Sequence, residues 1–487
     1  MDCLPDEILE VVLRFLPITD RIKLERVSFR WSNIMPYDRL TNVDSVEQLF
    51  PGKENHLDTL PITSALRSLL IRCGEHITSI SFGRVYLLIT PICIEIIHAF
   101  CPNLVHLDLS YCTITENLFA SLFGLARRLI SLDLSNTQFS VRDSEQFRNN
   151  VLLLFTNFLN LKKISLQRGS VNVLPAVKYL PTGLTCLNLN QCSPLKALIL
   201  IQFLQTSENL EELHLSAYNK LNGPVLTAIT DLEHLKVLDL SHLAFCQIMI
   251  DNTQFAQIDF QLIGELKNLE ELNLQHNNGL VDGELRAICR SCTKLRSLNL
   301  ACNSGITDFA PLLLLPHLQS ITIAGTDRFT DQHLTALSLN GGLKKITAWN
   351  VPNLGGNGLE ALLNSRCSAV LVEISLSGHS WDSDTVSDEL LCDLLLNCPK
   401  LEVLVLQGCE NVSDESFAAL CDLPIKLKVL DLSFCSNLSD EAVEALNGLM
   451  DRKMVLRKSL QLLFYAHQTK VTRAAVQSTC STLKVIL

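Results

Sequence analysis

Along most of the chain, short lines recur in which residues 1, 4 and 6 are aliphatic and residues 3, 5 and 7 are mostly polar. Leu427-Lys-Val-Leu-Asp-Leu-Ser-Phe-Cys435 is one such line, and Leu104–Cys112, Leu129–Thr137 and Leu401–Cys409 repeat it. Others begin at 161, 184, 210, 235, 269, 295, 318 and 371, and weaker copies begin at 77, 343 and 460, where Phe82, Ala348 and Tyr465 replace the third aliphatic. Residues two apart in a strand share a face, so positions 4 and 6 point into an interior and positions 3, 5 and 7 face outward. After each line the apolar spacing turns helical. Val412-Ser413-Asp414 precedes Phe417, Leu420 and Cys421, and Leu438-Ser439-Asp440 precedes Val443 and Leu446. Ser or Thr beside an acid suits the orphan amides of a helix's first turn. Each unit is therefore predicted as strand, loop, capped helix and return.

Most intervals between lines fall between 23 and 28 residues, the period of a leucine-rich repeat. One unit buries too little to stand alone, but stacking joins the aliphatic rows into a continuous core. The predicted fold class is α/β: a leucine-rich-repeat solenoid of about 15 repeats over residues 77–487, with a C-terminal cap. Its curved parallel sheet would form the concave face and its helices the convex face.

The first forty residues lie outside this pattern. Pro5, with Asp6 and Glu7, opens a helix that carries Ile8, Leu9, Val11, Val12, Leu13, Phe15 and Leu16, more apolar surface than one neighbour covers. Pro17 stops it, and Ile22, Leu24, Val27, Phe29, Trp31 and Ile34 follow. Residues 41–76 read as a linker and N-terminal cap, with a helix over Ser64–Cys73 whose stripe is Ala65, Leu69 and Cys73 beside Leu66 and Leu70.

Leu4-Pro5, Ile8-Leu9, Val12-Leu13, Leu16, Asp20, Val27-Ser28 and Trp31 resemble, in order and spacing, an all-α F-box over residues 1–40. Followed by a solenoid, it resembles the F-box/leucine-rich-repeat family. The strand-ending cysteines and the Cys-Pro openings at Cys101 and Cys398 are similar to that family's cysteine-containing repeat subclass. The resemblance implies a non-catalytic specificity subunit of a Skp–cullin–F-box ubiquitin ligase. The F-box would bind the Skp adaptor and, through it, a cullin, and the repeats would capture an unknown protein substrate for ubiquitination and proteasomal degradation. By position, the adaptor-facing candidates are Leu4, Pro5, Ile8, Leu9, Leu13, Leu16, Val27 and Trp31.

Along the early lines the outward residues are polar, as in His106, Asp108 and Ser110. Near the C-terminus they include Trp349, Val403, Val405, Leu462 and Phe464, with Trp381 in a nearby loop. Clustered aromatics and aliphatics suit a binding hot spot, so these six are the substrate-binding candidates. A competing reading has residues 467–487 fold back over that face. Three intervals are long. One inserts Phe245–Phe255 and another carries Arg452, Lys453, Arg457 and Lys458, either a solvated helix surface or a seat for an acidic or phosphorylated segment.

Composition narrows the picture. Net charge is −11 and no basic block rises above it, so nucleic acid is not an expected partner. No run suits a membrane span or secretory signal. Eighteen cysteines without such a signal read as reduced thiols in the cytoplasm or nucleus. No catalytic motif, cofactor or metal site is legible. Cys289-Arg-Ser-Cys292 is a lone pair, Gly355-Gly-Asn-Gly358 lacks the Lys of a phosphate loop, and His379 with Asp382, Asp384 and Asp388 lacks ligand spacing. Two alternatives stand beside the ligase reading. A ligand-sensing receptor on the same frame would need converging basic residues, whereas Lys163, Arg168 and Lys345 are scattered. A ligase-independent interaction scaffold would use the first helices only as a cap.

Overall fold

The computed structural model describes residues 5–14, 16, 20–21, 24, 29–34, 42–43, 59–83, 88–115, 117–139, 145–243, 258–377, 386–409, 411–418, 426–454, 462–467, 469–477, 479 and 483–486. They fall into two compact units, Met1–Leu235 and Lys236–Leu487.

In the first unit the strands are β1 (Asn42–Val43), β2 (Ser79–Ser81), β3 (Leu88–Ile89), β4 (His106–Asp108), β5 (Thr113–Ile114), β6 (Ser131–Asp133), β7 (Gln138–Phe139), β8 (Lys163–Ser165), β9 (Cys186–Asn188) and β10 (Glu212–His214). All pairings are parallel, in the order β1-β2-β4-β6-β8-β9-β10, with β3-β5-β7 as a separate small sheet. The fourth residue of each line pairs with its counterpart, in the row Leu107, Leu132, Ile164, Leu187, Leu213. The linker contributes two features the pattern did not reveal. Its strand β1 pairs with β2, and its helix starts earlier than predicted, running from Thr59 to Cys73. Leu66, Leu69, Leu70 and Cys73 of that helix are buried, as expected of a cap.

In the second unit the strands are β11 (Val237–Asp239), β12 (Glu271–Asn273), β13 (Ser297–Asn299), β14 (Ser320–Ala324), β15 (Lys345–Trp349), β16 (Glu373–Ser377), β17 (Val403–Leu406), β18 (Val429–Asp431), β19 (Leu462–Tyr465) and β20 (Leu483–Ile486). They pair in parallel in sequence order. The inward row runs Leu238, Leu272, Leu298, Ile321, Ile346, Ile374, Leu404, Leu430, Phe464, Val485. All are buried, and full burial of one such side chain contributes about 1.5–3 kcal/mol.

Strand length in this unit follows the fifth residue of the line. Where it is Asp or Asn, its side chain accepts the amide two residues on and the strand stops at three residues: Asp239 takes Ser241, Asn273 takes Gln275, Asn299 takes Ala301 and Asp431 takes Ser433. Where it is Thr322, Thr347, Ser375 or Val405, the strand runs to four or five residues. Side chain and neighbouring strand compete for the same N–H.

Among the described residues, the eighth residue of the line has positive φ: Tyr111, Asn136, Arg168, Gln191, Ala217, His242, His276, Cys302, Asn350 and Phe434, with glycine at 325 and 408. Its amide donates to the seventh carbonyl of the next line, as Tyr111 does to Ser135 and Gly408 to Ser433. That bond repays the left-handed strain. Where the ninth residue is Cys or Asn it is a buried donor. Cys192 and Cys435 point their thiols at Leu166 O and Leu406 O, while Asn277 and Asn303 donate to Leu240 O and Leu274 O.

The return segments are not all α-helical. Leu174–Tyr179, Phe260–Glu265 and Ala310–Leu314 are 3-10 turns, the first and last with Pro in the opening turn. The predicted Ser/Thr capping is present, Ser387 Oγ accepting from Leu390 N and Ser413 Oγ from Glu415 N, and a second device accompanies it. The acid at a helix start reaches into the next repeat: Asp388 accepts from Ser413 N and Oγ, Asp414 from Ser439, Asp440 from Thr472 and Asp282 from Thr307. One carboxylate thus satisfies two donors one repeat away, tying neighbours together.

Candidate adaptor and substrate surfaces

The N-terminal helices are α1 (Asp6–Arg14) and α2 (Phe29–Ile34). Arg30 Nη2 lies 2.6 Å from Asp6 Oδ1, a pairing that joins the two. Leu9 and Leu13 are 0% and 1% exposed and Trp31 is 7% exposed. These three adaptor candidates are therefore interior residues, corrected from surface to core. A helix of alternating large apolar residues this close to its partner turns one stripe inward. Pro5 and Ile8 are exposed, Ile8 at 51%, and Leu16 is half-buried. Leu4 and Val27 lie outside the described residues. The open apolar surface on α1 thus centres on Pro5 and Ile8.

On the second unit's sheet face, Trp349, Val403 and Val405 are half-buried and outward, as expected. Phe464 is not: it pairs with Leu430, is fully buried, and meets Phe417 edge-on at 6.3 Å. The last weak line therefore begins at 461, one residue later than predicted, and a one-residue shift exchanges every face. Three bonds fix the register. Leu432 N donates to Tyr465 O, Phe434 N to His467 O, and Thr469 Oγ1 to Ala466 O. The period-two signal was silent because Leu462–Ala466 carries only aliphatic and aromatic residues. Counting back from Val471-Thr472 also misleads, because that loop is one residue shorter than its counterpart at Leu438-Ser439.

The corrected register places Tyr465 outward beside Val405, Asp431 and Ile486 in one row, with Val403 and Val429 in the next. All of these are half-buried. Leu462 is the first residue of β19, and its side chain lies outside the described residues, as does all of Trp381. Residues 473–477 form a helix and β20 extends the sheet edge, so this part of the tail adds a repeat and does not cover the face. Charge flanks the patch. Lys345 pairs with Glu373 at 3.3 Å and Lys428 with Glu402 at 2.5 Å. The Lys428 hydrogen bond holds the Glu402 carboxyl below its ordinary range. Gln407 Nε2 donates to Asp431 Oδ2 at 2.7 Å. Tyr465, read as inward in the last line, and Ile486 were missed for want of the register, whereas Val429 sits outward in a correctly phased line and was not singled out.

The remaining sequence features resolve as scaffold. Cys289 and Cys292 are fully buried, and burial pushes their thiols up to about 12 and about 11. Cys292 Sγ points at Ile263 O. Gly355 N donates to Asp331 Oδ1, and a Cβ at Gly358 would come 2.7 Å from that same oxygen, so the glycines permit close helix packing. Asp388 is occupied by Ser413 and Ser416, while His379, Asp382 and Asp384 lie outside the described residues, as do Phe245–Phe255, Arg457 and Lys458. The side chains of Arg452 and Lys453 lie outside them too. Lys163 and Lys345 are each paired with a glutamate, and Arg168 donates to Gln191.

Comparison with known proteins finds two kinds of domain in the chain. Residues 1–41 match the F-box domain, and residues 100–116, 291–308 and 424–446 match the leucine-rich repeat. The chain is thus an F-box domain followed by a leucine-rich-repeat solenoid. It is 26% identical over 369 residues to a Caenorhabditis elegans protein, EEED8.10, whose name describes it as RNA-binding. That match covers 74% of the chain, which spans about half (48%) of the relative's length. Among solved structures, the yeast Rad7–Elc1 complex matches at 16% identity and TM-score 0.49, covering 87% of this chain and 88% of that one. An internalin, InlF, from Listeria monocytogenes matches at 16% identity and TM-score 0.32, covering 90% and 96%.

Proposed function

We propose that the chain is a non-catalytic specificity subunit of a Skp–cullin–F-box ubiquitin ligase. The F-box match over residues 1–41, joined to a repeat array with an apolar patch, carries this reading. Pro5 and Ile8 would meet a Skp-family adaptor, and through it a cullin. The face formed by Trp349, Val403, Val405, Val429 and Tyr465 would hold a protein substrate. The contribution to rate is proximity: tethering turns a bimolecular encounter into an intramolecular transfer. The reactive thioester belongs to other subunits, and the place of action is the cytoplasm or nucleus.

Two alternatives rank lower. A ligand-sensing receptor needs free basic groups, yet Lys163 and Lys345 already have carboxylate partners. An RNA-binding role would have to overcome a net charge of −11. The test is co-purification of a Skp adaptor with the wild-type chain and with Ile8→Asp. Wild type should recover the adaptor and I8D should lose most of it while melting at the same temperature, because Ile8 is exposed. Failure of wild type to bind any Skp adaptor would leave α1 and α2 as a cap and favour the ligase-independent scaffold.

A further inference from the structure

Strands β9 and β10 bring three residues from two different repeats together on the outward face of the first unit. Cys186 and Glu212 are register partners, and His214 stands two residues further along the same face. Their ligand atoms, one thiol, one carboxylate oxygen and one imidazole nitrogen, all lie within 4.8 Å of one another, and each side chain is half-buried. Among the described residues this is the one group of three such ligands so close together. A tetrahedral site with bonds of about 2.0–2.3 Å needs ligand atoms roughly 3.3–3.8 Å apart, so modest side-chain rotation would close the set.

We propose that Cys186, Glu212 and His214 form a binding site for a divalent zinc ion, with a fourth coordination position open to solvent or to a docked protein. Thiolate, imidazole and carboxylate together favour zinc over magnesium or calcium, which take oxygen ligands. Three protein ligands with one position left open is a recurrent zinc arrangement. Sheet strands fix the backbone of all three ligands, so little order need be gained on binding.

The surroundings show what binding must displace. Burial pushes the Cys186 thiol up to about 12, and its hydrogen bond to Glu212 adds to this. Burial also raises Glu212, but hydrogen bonds from Cys186 and Lys163 outweigh that and hold it below its ordinary range. The thiol proton between Cys186 and Glu212 therefore occupies the place the ion would take. Zinc entry forms the metal–sulfur bond and releases that proton to solvent, so affinity should rise with pH. Lys163 Nζ, 3.3 Å from Glu212 Oε1, is the other competitor. It is half exposed, and such pairs contribute only about 0–1 kcal/mol, so it can swing aside. The site rests on geometry alone and is independent of adaptor binding.

The test uses the full chain stripped with chelator and titrated with Zn²⁺, and with Co²⁺ as a spectroscopic probe. Wild type should hold one more zinc per chain than Cys186→Ala, and its Co²⁺ complex should show a thiolate charge-transfer absorption that C186A lacks. His214→Ala should weaken binding by more than the roughly 10–100-fold that loss of a merely supporting residue costs. Lys163→Met should tighten it. Metal-free melting of each variant, expected to match wild type, separates ligand loss from misfolding. Equal zinc uptake by wild type, C186A and H214A would overturn the site, as would a wild-type chain that retains no zinc at micromolar free metal.

Discussion

The ninth residue of the line shows how one side chain can serve two repeats. Asn303 donates to Leu274 O in the preceding line and to Leu300 O in its own, and its oxygen accepts from Asn277 N. Cys192 does the first of these jobs with a thiol. The cysteines were legible as turn fillers. Their equivalence to asparagine was not, because it depends on which carbonyl each reaches. Asn303→Ala would remove the bonds to Leu300 O and Asn277 N in a buried site, at about 1–3 kcal/mol per group, and leave Leu274 O with Asn277 Nδ2 alone. Chemical denaturation should show a loss of at least about 2 kcal/mol, with Asn303→Cys recovering part of it. A loss within about 0.5 kcal/mol, typical of an uninvolved surface position, would remove the ladder from the account.

At the scale of elements, what the sequence made legible depended on contrast. Leu427–Cys435 alternates polar and apolar residues, and its predicted face is the observed one. Leu462–Ala466 has no charged or amide residue to set the phase, and there the prediction slipped by one. The short strands β1, β3, β5 and β7 were invisible because two residues carry no period. On the N-terminal helix the pattern displayed an apolar surplus but not which residues turn inward, so Leu9, Leu13 and Trp31 were grouped with Ile8. The corrected register has a direct consequence. Phe464→Ala should cost about 3–5 kcal/mol as a core truncation, and Tyr465→Ala well under half of that. Equal losses, or the reverse order, would restore the line to 460.

Taken as a whole, the molecule stores many thiols away from water. Burial is the main reason that Cys101, Cys112, Cys186 and Cys289 each rise to about 12 from an ordinary 9.0. Above pH 9 the unfolded chain sheds thiol protons that the folded chain keeps, which favours unfolding. Stability should thus be fully present below about pH 9 and decline as pH rises toward 12. Melting under reducing conditions should show this fall, with a shallower slope in a Cys101→Ala, Cys289→Ala double variant. An unchanged slope would mean that other groups govern alkaline unfolding.

In the proposed function, one end of the chain engages the ligase and the other engages what is to be modified. The most direct measurement is quantitative affinity purification of wild type, Ile8→Asp and a Val405→Asp, Tyr465→Ser variant from the same cells. The account predicts that I8D loses the Skp adaptor and cullin but keeps a set of other proteins. The V405D, Y465S variant should do the opposite, losing members of that set while keeping the ligase. If both variants keep the adaptor and cullin, or if neither loses any partner, the division of labour proposed for the two ends is contradicted.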